Sequence, residues 1–104
     1  MIKYVAISRL KSGYDRDETW ELWRTKHATW AKDILRPELK QYIIHRVVKT
    51  VSDNDIFGFA EMLFDDVDSF ERAFNRLLSK EPDEFMQRLQ RVDRILLEYE
   101  EVKL

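Results

Sequence analysis

The stretch Ile56–Phe64, reading Ile-Phe-Gly-Phe-Ala-Glu-Met-Leu-Phe between two acidic clusters, leaves this chain few architectures. A short apolar run bounded by turn-forming Asp53-Asn54-Asp55 and Asp65-Asp66 reads as a strand. Simple alternation puts Phe57, Phe59 and Leu63 on one face, with Ala60, Met62 and Phe64 on the other. Both faces are then apolar, and a sheet built around such a strand needs cover on both sides. With 104 residues the chain can form one core and one domain.

The remaining segments supply one of the two covers. Residues 2–10 mix β-branched and apolar residues before the break at Lys11-Ser12-Gly13, which predicts a first strand. Asp15 and Glu18 have the spacing of a capping box, so a helix is expected from Arg16 to about Leu35, stopped by Arg36-Pro37. Residues 39–50 predict a second strand, linked by a hairpin connection at 51–55 to the third. Asp65-Asp66 offers N-caps for a second helix ending near Leu78 or Ser79. Glu81-Pro82-Asp83-Glu84 resembles a new helix start with Pro at its first position, and that helix is expected to run past Phe85, Leu89 and Val92. Residues 96–104 are left as the fourth strand. The order β-α-β-β-α-β is the ferredoxin-like α+β arrangement, an antiparallel four-stranded sheet with helices on one face. The other face then calls for a second copy of the chain, so a homodimer through the open sheet face is expected.

Composition removes several classes of function. Eighteen basic against 20 acidic residues give a net charge of −2, which argues against a nucleic-acid platform. No apolar run reaches the roughly 20 residues of a membrane span, and Met1-Ile2-Lys3-Tyr4 does not open a signal peptide, so a cytoplasmic location is expected. There are no cysteines and only 2 histidines. This excludes thiol chemistry and argues against a metal site within one chain.

The first helix carries the chemistry-bearing residues. Trp20, Trp23, His27, Trp30 and Ile34 recur at spacings of 3, 4, 3 and 4, which places them on one helical face. An aromatic stripe at this spacing is ordinarily core, and its histidine is then simply buried there. Three tryptophans exceed what a small core requires, however, and an imidazole among them beside a pocket is a candidate general acid–base. His45 on the second strand shares its face with Ile43 and Val47. Glu61 shares the face of Phe59 and Leu63, a carboxylate in an apolar row that needs a partner. Together they suggest a polar corner between the sheet and whatever covers it. Arg88, Arg91 and Arg94, three apart, are read as one side of a helix, and Glu98, Glu100 and Glu101 as a solvated edge.

These residues resemble a known family. Trp23-Arg24-Thr25-Lys26-His27-Ala28 is similar to the Trp-x-x-x-His-Ala segment of EthD-like proteins, in the dimeric α/β-barrel superfamily. Pro37-x-Leu39-x-x-Tyr42 leading to His45 and Val47, and Ala60-Glu61-x-x-Phe64-Asp65 preceding Ser69-Phe70, follow in the same order. Two positions depart from the pattern, Thr29 where a proline is common and Glu38 where a glycine is, and both are expected to shape the mouth of the pocket. The resemblance implies a ferredoxin-like fold whose sheets pair in a dimer, a pocket between sheet and helices, and chemistry without cofactor or metal on apolar or aromatic small molecules. Such relatives include polyketide cyclases, decarboxylases and lactone isomerases. By the same resemblance His27 is the acid–base residue, with His45 and Glu61 as orienting or second proton-transfer groups. Trp20, Trp23, Trp30, Tyr42, Phe57 and Phe59 would form the substrate walls. Two other readings use the same residues: a non-catalytic dimeric ligand-binding or assembly domain, and a cofactorless monooxygenase.

Overall fold

The computed structural model describes residues 1–104. Strands β1 (Ile2–Leu10), β2 (Gln41–Arg46), β3 (Ile56–Phe64) and β4 (Leu89–Leu97) form one antiparallel sheet in the order β2-β3-β1-β4. Between β1 and β2 runs a continuous helical stretch made of α1 (Arg16–Leu22), a π-helical segment (Trp23–His27) and α2 (Ala28–Leu35). Helices α3 (Val67–Leu78) and α4 (Glu84–Gln87) separate β3 from β4. No helix is long and apolar enough to cross a membrane.

All helices pack on one sheet face. Tyr4, Ala6, Ala60, Met62 and Phe64 are buried there, and Tyr4 meets the rings of Phe70 and Phe74 from α3 at 5.0 and 4.6 Å. The alternating set, Val5, Ile7, Phe59 and Leu63, lies on the opposite face and is only half-buried. The period of two therefore sorts β1 and β3 as expected. Phe57 departs from it. A bulge where Ser8 and Arg9 face Gly58 and Ile56 leaves Phe57 outside the pairing, and its ring turns to the helix side, fully buried at 6.1 Å from that of Trp23. An extra residue at a bulge reverses the side to which its chain points.

The helix ends follow their caps. Asp15 accepts from the Glu18 N–H at 2.8 Å, but Glu18 does not complete a capping box; its carboxylate takes Arg88 at 2.9 Å instead. Asp66 rather than Asp65 caps α3, accepting from the Ser69 N–H. Arg76 on α3 donates to the carbonyls of Ile34 and Arg36 at 3.0 Å and forms a two-pronged pair with Glu38. Glu38 thus ties the loop after α2 to α3 rather than shaping a pocket mouth, and Thr29 is solvent-exposed on the helix.

The C-terminal third corrects the expectation. Asp83 is the N-cap, so Pro82 lies outside the helix; α4 is a single turn, and β4 begins at Leu89 rather than 96. The charged sequence of this strand hides its nature, since it is an edge strand exposed along most of its length, and charge on an edge guards against unwanted pairing. Arg91 and Arg94 are not on a helix. A register shift pairs Arg91 with Ser8 and Arg94 with Ala6, which brings two residues three apart onto the same, helix-side face.

Candidate functional site

His27 closes the π-helical segment, where the Ala28 N–H bonds to the Trp23 carbonyl. The buried residues of this helical stretch are Thr19, Trp23, His27, Ala31 and Leu35, each four apart. In a regular helix each step of four overshoots one turn by about 40°, or about 160° over the whole stripe. The wider π turn takes back part of that drift, keeping Trp23 and His27 on the face that meets the sheet. Such insertions are frequent at functional sites. Trp20 and Trp30 border the stripe and stay half-buried.

His27 is 8% exposed and sits between the rings of Phe85 and Trp30, at 4.6 and 5.5 Å. Its Nδ1 lies 2.6 Å from Oδ2 of Asp83. The other Asp83 oxygen accepts the Met86 N–H at 2.9 Å, so the α4 cap also holds the imidazole. Burial pushes the Asp83 carboxyl up, but the hydrogen bonds from His27 and the Met86 N–H outweigh it, and its pKa falls below the ordinary value. An ionised Asp83 can only accept, so Nδ1 is the protonated nitrogen facing it, and in the neutral ring Nε2 is the nitrogen left to act as a base.

His27 lines a cavity of about 50 Å³ between the helices and the sheet, shared with Trp23, Tyr42, Met62, Met86 and Arg91. The Trp23 indole donates to Tyr42 Oη at 3.2 Å. Burial first, opposed by that bond, pushes the Tyr42 phenol up to about 12, so it remains a neutral hydroxyl. A cavity that holds benzene is about 150 Å³, so an aromatic ring would enter only if the walls move. Met62 and Met86 are the flexible side chains that can move them.

The structure divides the expected site residues. Trp23 and Tyr42 join His27 at the cavity, and Trp30 stands beside it. Trp20 packs edge-on against Trp23, beneath the Arg46 guanidinium, at its periphery. Phe57 lies behind Trp23 as core. His45, Glu61 and Phe59 are on the other face of the sheet: His45 stacks on Phe59 at 4.1 Å, and Glu61 takes Lys3 at 3.2 Å with His45 Nε2 at 3.6 Å. Alternation of side chains across the strands keeps these groups from touching His27, so neither His45 nor Glu61 orients it. That task falls to Asp83, which sequence reasoning missed. Its helix-start signal was visible, but nothing in the spacing connected it to a histidine 56 residues earlier. Arg91, donating to the buried Ser8 hydroxyl at 2.9 Å, was missed as well. No group of three or more His, Asp or Glu side chains is arranged to hold a metal ion.

Comparison with known proteins places this fold. Among solved structures, an EthD family protein from Bacillus halodurans C-125 superposes with a TM-score of 0.65 at 17% identity, over 96% of this chain and 99% of its own. A dimeric ferredoxin-like protein from an uncultured marine organism gives 0.64 at 14%, covering 95% of each chain. SnoaB, a cofactor-independent oxygenase from Streptomyces nogalater, gives 0.61 at 15%, over 97% of this chain and 94% of its own. These likenesses establish a shared fold. No curated protein sequence matches the chain. The family model of the EthD domain matches residues 11–91, from the turn after β1 into β4, a range that includes His27 and Asp83. On that match, the chain belongs to the EthD domain family.

Proposed function

We propose that this protein is a small enzyme that moves protons on an apolar, aromatic or polyketide-like small molecule, without metal or organic cofactor. One observation carries the reading: Nδ1 of His27 is held by Asp83 at 2.6 Å, in a cavity lined largely by apolar and aromatic side chains. A neutral imidazole anchored at one nitrogen and free at the other suits general acid–base catalysis. The reaction would be a cyclisation, dehydration, isomerisation or decarboxylation, with His27 taking or giving the proton. Trp23 and Trp30 would form apolar walls, and the Tyr42 hydroxyl would offer a hydrogen bond.

The test begins with a thermal-shift panel of aromatic acids, lactones and hydroquinones, followed by turnover assays on whatever stabilises the folded form. His27→Ala is expected to remain folded and to lose about 10²–10⁴-fold in rate, the usual contribution of a positioned acid–base group. Unchanged turnover in the folded variant would overturn the assignment. Binding without turnover, insensitive to His27, would instead favour a ligand-binding or assembly domain.

The likeness to SnoaB supports a second reading, a cofactorless oxygenase, because that fold also carries oxygen chemistry. Oxygen consumption with a hydroquinone distinguishes it from proton transfer. In either case the active unit is proposed to be a homodimer, with a second copy covering Val5, Ile7, Phe59 and Leu63 on the sheet face that no helix covers.

A further inference from the structure

The helix side of β4 carries two guanidinium groups with no acid to neutralise them. The bulge in the β1–β4 pairing turns Arg91 and Arg94 to the same side. Neither is among the ion pairs of the chain, although Arg88, only three residues before Arg91, takes both Glu18 and Glu84. The two are placed differently. Arg94 lies over the Tyr4 and Phe74 rings with its Nε donating to Tyr4 Oη at 2.7 Å. Arg91 borders the His27 cavity, and only its Nη1 is engaged, on the neutral hydroxyl of Ser8 at 2.9 Å. Asp83, the carboxylate that holds the His27 ring, is already committed to Nδ1 and to the Met86 N–H. Arg91 as a whole is exposed on the edge strand, but partial desolvation of its guanidinium first, and the charge of Arg94 in addition, hold its pKa below the ordinary value. An anion at this position would relieve both penalties.

We propose that Arg91 is the anion-recognition residue of the cavity and that the ligand is an aromatic carboxylic acid, its carboxylate held by the free Nη2 and Nε of Arg91 while its ring lies against Trp23 within reach of His27. A guanidinium fork matches a carboxylate with two parallel hydrogen bonds. Ser8 fixes the fork from behind, and Arg94 adds positive potential without needing to touch the ligand. This assignment rests on the reading of the cavity as a substrate site and narrows it to a substrate class.

The experiment compares 2-naphthoate with 2-naphthamide, which share a ring and differ in charge, by calorimetric titration of the intact protein at low salt. The acid is expected to bind about tenfold more tightly than the amide, the difference made by one charge-assisted contact. Added salt should narrow the gap. Arg91→Gln should abolish the preference, mainly through lost affinity for the acid, and Arg91→Lys should retain part of it. Equal binding of acid and amide to the wild type would overturn the proposal without recourse to any variant, as would a preference that survives in Arg91→Gln. If equal binding is also weakened by Trp23→Ala, the apolar site stands and only the carboxylate assignment falls. If the wild type binds neither compound, both the assignment and the aromatic-site reading are overturned.

Discussion

His27 could be a packed core histidine or a working base, and what separates the two is the company of its nitrogens. A core histidine needs its polar atoms satisfied by its surroundings. Here Nδ1 has a carboxylate at 2.6 Å, while Nε2 has no hydrogen-bond partner in the chain and the ring lines a cavity. Asp83→Asn tests the division of labour. Asparagine caps a helix as well as aspartate does, so α4 and the melting temperature should change little. Its amide can donate as well as accept, which releases the tautomer, and turnover should fall by about 10²-fold or more. A markedly lowered melting temperature with unchanged turnover would mean that Asp83 serves α4 alone. The aromatic stripe and His27 were readable from spacing, whereas Asp83 was not, because only the folded chain brings the two together.

Among the elements, β3 and the first helical stretch were the most legible, since hydrophobic period decides both. Their irregularities were not. Nothing in the residue types of Trp23–His27 announces a π turn; it arises because buried residues four apart must all reach one sheet. The Phe57 bulge likewise follows from packing against Trp23. Gly58, next to it, is required by the same packing: an added Cβ would overlap the His45 carbonyl oxygen and crowd the Trp23 ring at 3.1 Å. Gly58→Ala should therefore cost about 1–3 kcal/mol by forcing β2 and β3 apart, measured by urea unfolding. A neutral result would show that the β2–β3 ladder yields there freely. The fourth strand was misplaced because an exposed, charged edge strand shares its composition with a surface helix, and only pairing with β1 tells them apart.

For the molecule as a whole, the ferredoxin-like topology followed from element order, and the uncovered sheet face from alternation along β3. Phe59→Glu should prevent self-association, as read by sedimentation, while leaving the helix-side cavity intact; an unchanged assembly state would place any interface elsewhere. Charge sets the pH limits of stability. Glu38, hydrogen-bonded by Arg76, is lowered from 4.5 to about 2, so the unfolded chain binds its proton first and stability is lost as pH falls from about 4.5 towards 2. Tyr42, raised by burial from 10.0 to about 12, acts in the opposite sense, with stability lost as pH rises through that range. Glu38→Gln should flatten the acid limb of the melting profile and Tyr42→Phe the alkaline one.

The account depends most on the state of one imidazole. Nitrogen-detected NMR of histidine-labelled protein at neutral pH reads the tautomer of each ring directly, and His45→Gln assigns the signals, since there are only 2 histidines. The prediction is a neutral His27 protonated at Nδ1 with an unprotonated Nε2, a pattern lost in Asp83→Asn. A His27 protonated at Nε2, or one averaging freely between tautomers, would contradict the Asp83-anchored base on which the proposed chemistry rests.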